Sequence, residues 1–213
     1  MMTEVEIRSG VRVNAAPALF IEALHALVIA DVHWGYATSQ RAAGRLLPQW
    51  GDDEIETRLR ALLAHYAPRT LIIAGDVVHA TPGAPRARAV LETLAREIRV
   101  VLVSGNHDRR SPLTCVESFH EGNFFIHHGD APRAVPPGAL EIVGHQHPAA
   151  TYWDGAGTSL KLPALVDGPM RLILPAFSPW AGGVSWNNQL RADERLWLIS
   201  SRRIFPLRAS SVA

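Results

Sequence analysis

The sequence predicts an α/β fold in which two mixed β-sheets pack against each other with helices outside, a four-layer α/β/β/α sandwich. Three observations support this. Buried strands, loops and helices follow one another in a βαβαβ order up to about residue 110, and short strands without long helices follow residue 120. No repeat, low-complexity tract or linker interrupts the 213 residues. We therefore expect a single domain over residues 1–213.

The elements of the first half follow from hydrophobic periodicity. Apolar residues alternate in a hairpin at 5–13, and continuous apolar runs predict buried strands at 27–30, 70–74 and 100–103. One helix is predicted after the first of these strands, with Asp52 and Asp53 as N-cap candidates and apolar residues at helical spacing up to Pro68. A second helix is expected at about 86–98. In the second half, strands are expected near 124–126, 140–143, 160–166, 171–174 and 196–199.

Composition excludes several classes of protein. The 21 basic and 20 acidic side chains leave a formal net charge of +1, so the chain is not a polybasic binder of nucleic acid or membranes. Cys115 is the only cysteine, which excludes a disulfide framework and a thiolate metal cluster within one chain. No apolar run reaches the about 20 residues of a membrane helix, and the first residues are acidic, so we expect a cytoplasmic protein without a membrane partner.

Chemistry-bearing side chains recur where the predicted strands end. They form five blocks, which are Asp31-x-His33, Gly75-Asp76, Gly105-Asn106-His107-Asp108, His128-Gly129 and Gly144-His145-x-His147. Imidazole nitrogens with carboxylate oxygens suit Mn, Fe, Zn or Ni, whereas a cage of oxygens alone would suggest Ca or Mg. The blocks therefore predict a transition-metal site at the strand ends.

The spacing within the blocks indicates a pair of ions. Residues i and i+2 of an extended segment point to the same side, so Asp31 and His33 can hold one ion together. His145 and His147 share that spacing, although a loop can turn each towards a different ion. A carboxylate between the two sites, here Asp76, can bridge ions about 3.5–4 Å apart, the separation used in two-metal phosphate chemistry.

All five blocks, in this order, resemble the calcineurin-like metallophosphoesterases, whose pattern is D-x-H, G-D, G-N-H-D/E, H-G and G-H-x-H. The resemblance implies the fold of that family and hydrolysis of phosphoesters with two divalent metal ions, for which we expect manganese, with iron, zinc or nickel as alternatives. It also implies roles for the residues of the blocks: one ion held by Asp31, His33 and His147, a second by Asn106, His128 and His145, a bridging Asp76, a general acid His107 and an orienting Asp108.

Within the family, the chain is most similar to the DNA-ligase-associated metallophosphoesterases, a bacterial group linked to the DNA damage response. The supporting residues are His79, Pro148, Leu174-Pro175-Ala176-Phe177 and Gly182-Gly183. One departure is Trp34-Gly35-Tyr36, where that group usually carries Leu-Gly-Lys, so a phosphate contact from that lysine is missing or replaced. The similarity implies a nuclease acting in DNA repair, in functional association with a DNA ligase and a helicase.

Several residues have two interpretations. His127 and His128 are adjacent in a strand and point to opposite faces, and we favour His128 as the ligand because it precedes Gly129. Arg109 and Arg110 are candidate substrate-binding residues or solvated turn residues. Trp34, Trp153, Trp180 and Trp186 could stack on bases, but packing roles are expected. His79 either supports a metal ligand or is a loop histidine without such a role, and we favour the first interpretation.

Two other functions stay open at this point. The same chemistry could act on small nucleotides, cyclic nucleotides or phosphomonoesters, which the near-zero net charge allows. The fold could also be an inactive protein-binding scaffold, although scaffolds of that kind lose ligands and the five blocks are complete. The sequence does not decide between DNA and RNA, endo- and exonuclease action, or a monomer and a homo-oligomer.

Overall fold

A computed structural model describes residues 2–153 and 156–208. Its helices are α1 (Tyr36–Ala42), α2 (Gly51–Tyr66) and α3 (Ala84–Leu94). Its strands are β1 (Glu4–Arg8), β2 (Val11–Asn14), β3 (Ala18–Ile21), β4 (Ala26–Ile29), β5 (Thr70–Ala74), β6 (Arg99–Val103), β7 (Phe119–Glu121), β8 (Phe124–His127), β9 (Leu140–Val143), β10 (Pro148–Trp153), β11 (Ser159–Gly168), β12 (Arg171–Ile173), β13 (Val184–Ser185), β14 (Arg195–Ile199) and β15 (Ile204–Arg208). None of the described helices is long and apolar enough to span a bilayer.

The strands form two mixed sheets. The first has the order β1-β2-β3-β4-β5-β6, in which β1 to β4 are antiparallel neighbours and β4, β5 and β6 are parallel. The second has the order β13-β10-β11-β12-β9-β8-β7, with β14 paired to β11 and β15. Strands β8, β9 and β12 of this sheet are parallel. Both sheets thus contain a parallel section whose strands end at the same edge.

The two-residue period of the strands separates the two faces of the first sheet. In β4, Val28 packs into the core between the sheets, whereas Leu27 and Ile29 pack against α2 and α3. Strand β5 repeats the pattern, with Ile72 facing the second sheet and Leu71 facing the helices. Continuous apolar runs are needed here because both faces of these parallel strands are buried.

This arrangement confirms the predicted fold class. The described part of the chain places its three helices in the first half, and α2 and α3 cover the outer face of the first sheet. A separate apolar cluster lies on the second sheet, where Trp186 and partly buried Leu190 pack against residues such as Ala164 and Leu196. Over residues 2–153 and 156–208, therefore, loop residues rather than a long helix cover that cluster.

The helix boundaries differ from the sequence prediction in three places. Helix α2 begins at Gly51, and Asp52 lies in its first turn, where its carboxylate accepts a hydrogen bond from the Gly35 amide at 3.0 Å instead of capping the helix. Helix α3 begins at Ala84, because Pro85 lacks an amide hydrogen and is tolerated in a first turn. It ends at Leu94, and tight turns connect it to β6.

Candidate metal centre and active site

The five sequence blocks meet at one edge shared by both sheets. Asp31, Asp76 and Asn106 follow the parallel strands β4, β5 and β6, while His128 and His145 follow β8 and β9. A hydrogen bond of 3.2 Å from the His128 ring to the Ala74 carbonyl joins the end of β8 to the end of β5. The carboxyl ends of the parallel strands in the two sheets therefore converge on one site.

The backbone is strained at these residues. Five of them have a positive φ, the left-handed region that non-glycine residues rarely adopt: Asp31 (55°), His33 (52°), Asp76 (47°), His145 (66°) and His147 (43°). Such conformations cost about 1–3 kcal/mol each and persist where the surrounding structure imposes them, often at functional sites. The local turns therefore direct side chains from different strands towards a common centre.

Two glycines make the close packing at this edge possible. A Cβ at Gly75, whose φ is +84°, would lie 2.1 Å from Nδ1 of His128. A Cβ at Gly105 would lie 2.2 Å from Oδ1 of Asp76. Neither position has room for a side chain while the neighbouring site residue keeps its place.

Among the described residues, three groups of side chains have the spacing of metal sites, and two of them combine a carboxylate with two histidines. Asp31, His33 and His147 form the first, and Asp76, His128 and His145 form the second; within each group the candidate ligand atoms lie within 4.8 Å of one another. Nε2 of His33 lies 3.7 Å from Oδ2 of Asp76, and Nε2 of His128 lies 3.5 Å from the same oxygen. Asp76 therefore stands between the groups, where one carboxylate can serve both.

The donor atoms in these groups fit a pair of cations. Nδ1 of His128 donates to the Ala74 carbonyl, and its Nε2 lies 3.1 Å from both Oδ1 of Asn106 and Nδ1 of His145, where it can offer a lone pair to a cation once its proton is lost. Nε2 of His147 and Nδ1 of His33 are buried without a hydrogen-bond partner. Lone pairs that converge on one another, and buried nitrogens without partners, are stable when a cation lies between them.

The electrostatics of the site follow from burial and from the two carboxylates. Burial lowers the pKa of His33 to about 3, although the carboxylate of Asp76 opposes this, so the ring is neutral at pH 7. Burial raises the pKa of Asp76, but the hydrogen bond and charge of His128 outweigh it and bring the pKa to about 2. Burial lowers the pKa of His128, but the charges of Asp76 and Asp31 outweigh the effect of burial and raise this pKa to about 9. The carboxylate of Asp76 is therefore ionised at pH 7 and attracts cations.

His107 lies beside the first group. Its amide donates to Oδ1 of Asp76 at 3.0 Å, and its Nδ1 donates to the carbonyl of His79 at 2.8 Å. Its ring centroid lies 5.0 Å from that of His33. Because a carbonyl only accepts, Nδ1 keeps its hydrogen, and Nε2 is the ring atom that can gain or lose a proton.

The expected orienting contact from Asp108 to His107 is replaced by a different one. The buried carboxylate of Asp108 accepts backbone hydrogen bonds from Val77 and Val78 at 3.2 Å and from Gly105 at 2.9 Å. It joins the loops that follow β5 and β6, and the orienting partner of the His107 ring among the described residues is the carbonyl of His79. Spacing alone could not have indicated a backbone carbonyl as that partner.

The side chains of His127 and His128 point in opposite directions, as expected for neighbouring residues of a strand. His128 reaches the centre, whereas Nε2 of His127 lies 2.8 Å from Oε1 of Glu141 on β9. Burial lowers the pKa of His127, against the hydrogen bond and charge of Glu141. The geometry therefore places His128, the preferred candidate, among the possible ligands.

The remaining candidate residues, two arginines and four tryptophans, lie in different parts of the structure. The Arg109 side chain is exposed and lies 3.4 Å from Asp130, whereas the side chain of Arg110 is outside the described part of the structure. Trp34 and Trp186 are buried in the core, and Trp153 is exposed on β10. Trp180 is the one of the four that belongs to a row of rings at the site edge.

Sequence reasoning underestimated His79 and did not consider Trp50. The His79 ring stacks on His107 at 4.9 Å, and His33, His79 and His107 form a third cluster with metal-site spacing. The spacing Gly75-Asp76-x-x-His79 was the available signal for the first of these residues. Trp50 belongs to no sequence motif, and only its contact with Trp180 in the structure shows that it lies near the site.

Comparisons with known proteins agree with this geometry. Residues 24–158 match the calcineurin-like phosphoesterase family. The nuclease MPE of Pseudomonas putida has a structure similar to this chain, with a TM-score of 0.74, 28% identity, and coverage of 97% of this chain and all of that one. Yfce, a phosphoesterase from E. coli, matches with a TM-score of 0.44 and 16% identity over 86% of this chain and 98% of its own. A comparison with curated protein sequences finds no significant match.

The family match covers more than half of the chain and includes all five blocks that form the site. A dimetal centre is characteristic of this family, and the two clusters have the residue types and spacing for one. The chain therefore belongs to the calcineurin-like phosphoesterase family and is a metal-dependent phosphoester hydrolase.

Proposed function

We propose that this hydrolase is a nuclease of the DNA-ligase-associated group, which cuts phosphodiester bonds of nucleic acid in bacterial DNA repair with manganese as its metal. The observation that carries the proposal is the similarity to the P. putida nuclease along the whole of that chain, together with the two ligand clusters. Functional association with a DNA ligase and a helicase belongs to the same proposal.

The positions of the side chains support the roles that the family resemblance implies for them. Asp31, His33 and His147 would hold one ion, Asn106, His128 and His145 the other, with Asp76 between them. Ions bound there supply positive charge that binds the phosphate and activates the attacking water. Asn106 binds through its carbonyl oxygen, so its amide group is free to donate to a phosphoryl oxygen.

His107 would protonate the leaving oxygen. Its Nδ1 is held by the His79 carbonyl, so the imidazolium presents Nε2–H to the leaving group. General acid catalysis of this kind contributes about 10²–10⁴-fold in rate, most when the leaving group is a poor one such as a sugar alkoxide.

The test compares substrates with good and poor leaving groups. Purified protein with Mn²⁺ is assayed on single-stranded DNA, single-stranded RNA, a cyclic nucleotide and bis-p-nitrophenyl phosphate. We expect turnover of the nucleic acids; cleavage of the cyclic nucleotide without cleavage of any oligonucleotide would instead support the small-nucleotide alternative, which the net charge of +1 allows.

The His107→Ala variant tests the acid. It is expected to retain bound manganese and to lose about 10²–10⁴-fold in turnover of nucleic acid, but much less with the aryl diester, whose leaving group needs no proton. His120→Ala, which removes an exposed histidine of β7, is the matched control. Equal losses on both substrates would refute the role of His107 as the acid.

A further inference from the structure

A row of aromatic rings leads away from His107 along the edge of the site. The His79 ring stacks on that of His107 at 4.9 Å, and the Tyr36 ring lies 4.6 Å from His79. Trp180 is nearly parallel to Tyr36, with centroids 5.9 Å apart and an angle of 21°, and Trp50 lies 4.7 Å from Trp180. We call His79, Tyr36, Trp180 and Trp50 the aromatic row.

The backbone fixes the row in place. Tyr36 is the first residue of α1 and directly follows Gly35, whose φ of +74° turns the chain. A Cβ at Gly51 would lie 1.9 Å from Nε1 of Trp180, so this glycine lets the indole pack against the start of α2. Trp50 immediately precedes that start and is 48% exposed. The row therefore ends in an indole that is held near a rigid helix and accessible from solvent.

The outer end of the row borders a cavity that leads back to the metal centre. The cavity has a volume of about 450 Å³, and its lining includes Trp50, His147 and Lys161, together with Arg58, which is ion-paired with Glu54. Nζ of Lys161, the only lysine of the chain, donates to the Gly183 carbonyl at 2.7 Å, a neutral partner that leaves its charge available. A flat aromatic surface and positive charge thus lie on one path from the candidate metal ligand His147.

This combination matches one kind of occupant. Aromatic faces bind planar bases, and basic side chains bind the phosphates that join them. The bases of a duplex have both faces covered by their neighbours, whereas an unpaired base can stack on an indole.

We propose that Trp50, at the outer end of the aromatic row, stacks on an unpaired base of a strand whose scissile phosphate lies at the metal centre. The inference rests on the proposed nuclease function and specifies its substrate.

The test removes either the ring or the bases. Wild-type protein, Trp50→Ala, Trp50→Phe and the control Leu46→Ala, which truncates a 92% exposed side chain of the loop before α2, are assayed with Mn²⁺. The substrates are single-stranded DNA and RNA oligonucleotides and a fully abasic DNA strand of equal length. A stacked base contributes about 1–3 kcal/mol, so we expect Trp50→Ala to raise the KM for oligonucleotides about 5- to 150-fold. Its preference for base-bearing over abasic strands should fall by a similar factor.

A second measurement does not depend on catalysis. The Kd of a fluorescently labelled oligonucleotide, measured by anisotropy in EDTA, should rise for Trp50→Ala by a comparable factor. Trp50→Phe keeps a flat ring and should recover most of the affinity, and Leu46→Ala should behave as wild type. Because Trp50 is half exposed, these variants are expected to fold, and thermal melts check this.

The outcomes separate the two proposals. If wild-type protein neither binds nor cuts any oligonucleotide, the nuclease function fails. If it cuts them and Trp50→Ala keeps the wild-type preference for base-bearing strands, the nuclease function stands and the stacking role of Trp50 is wrong. An equal effect of Trp50→Ala on DNA and RNA supports recognition through the base face alone. Failure of Trp50→Phe to recover affinity would contradict stacking.

Discussion

Substitution of Gly75 by alanine tests whether close packing at the strand ends holds the metal centre together. Gly75 has a φ of +84°, and an added Cβ would lie 2.1 Å from Nδ1 and 2.3 Å from Cγ of His128. The left-handed backbone costs an alanine about 1–2 kcal/mol. Displacement of the buried His128 ring adds about 1–3 kcal/mol, the usual cost of overpacking. The ring would also lose its alignment with Asn106 and Asp76.

A matched control separates these two contributions. Gly138 also has a positive φ, +77°, but a Cβ there would meet nothing within 4 Å. Gly138→Ala therefore carries the backbone cost without the collision. At roughly 2–4 °C per kcal/mol for a chain of this size, Gly75→Ala should melt about 2–12 °C below Gly138→Ala in EDTA.

Metal binding provides the second measurement. Displacing a ligand or the groups that orient it typically lowers metal affinity about 10–100-fold. Titration with Mn²⁺ should therefore show weaker binding in Gly75→Ala, whereas Gly138→Ala should bind as wild type. Equal melting temperatures and equal manganese affinities in the two variants would refute the argument from packing.

Two further predictions concern the bridging carboxylate and the cysteine. Asp76→Asn should reduce the manganese content of both sites, because Asp76 lies between the two clusters. The control variant Asp193→Asn, which changes an exposed carboxylate, should leave the manganese content unchanged. Full occupancy of both sites in Asp76→Asn would contradict bridging. Burial, aided by the charge of Asp108, raises the pKa of the Cys115 thiol to about 11, so little reactive thiolate exists at pH 8. Alkylation by iodoacetamide, followed by mass spectrometry, should be slower in folded than in urea-unfolded protein and should accelerate as the pH rises towards 11; equal rates in the two states at pH 8 would be evidence against this burial effect.

The sequence alone predicted the parallel strands of the first sheet and the residue types at their ends, but it did not predict α1 or the strands β3, β7, β10, β13 and β15. Continuous apolar runs at 27–30 and 70–74 predicted strands buried on both faces, because runs of four or five apolar residues are too short for a buried helix. Polar blocks directly after those strands predicted a shared metal site, because parallel strands end at a common edge. The apolar runs and the polar blocks are short segments of the chain, so the sequence pattern alone can reveal them.

Tertiary structure decided which groups contact one another. Asp108 was expected to orient His107, but its carboxylate satisfies three backbone amides and the His79 carbonyl holds the ring. A backbone carbonyl has no signature in the sequence, since every residue carries one. The N-terminus of α2 was misplaced for a related reason: Asp52 forms its hydrogen bond with Gly35, a partner distant in the chain.

The aromatic row depends most strongly on the fold. Tyr36, Trp50 and Trp180 come from three separate segments, and their rings become neighbours only when the loop at residue 180 packs over the start of α2. Residue types and spacing thus determined the fold class and the set of candidate ligands. Contacts between distant segments decided the hydrogen-bond partners, the position of His128 rather than His127 at the strand-end site, and the surface that leads away from it. Such contacts depend on how the two sheets and α2 pack together.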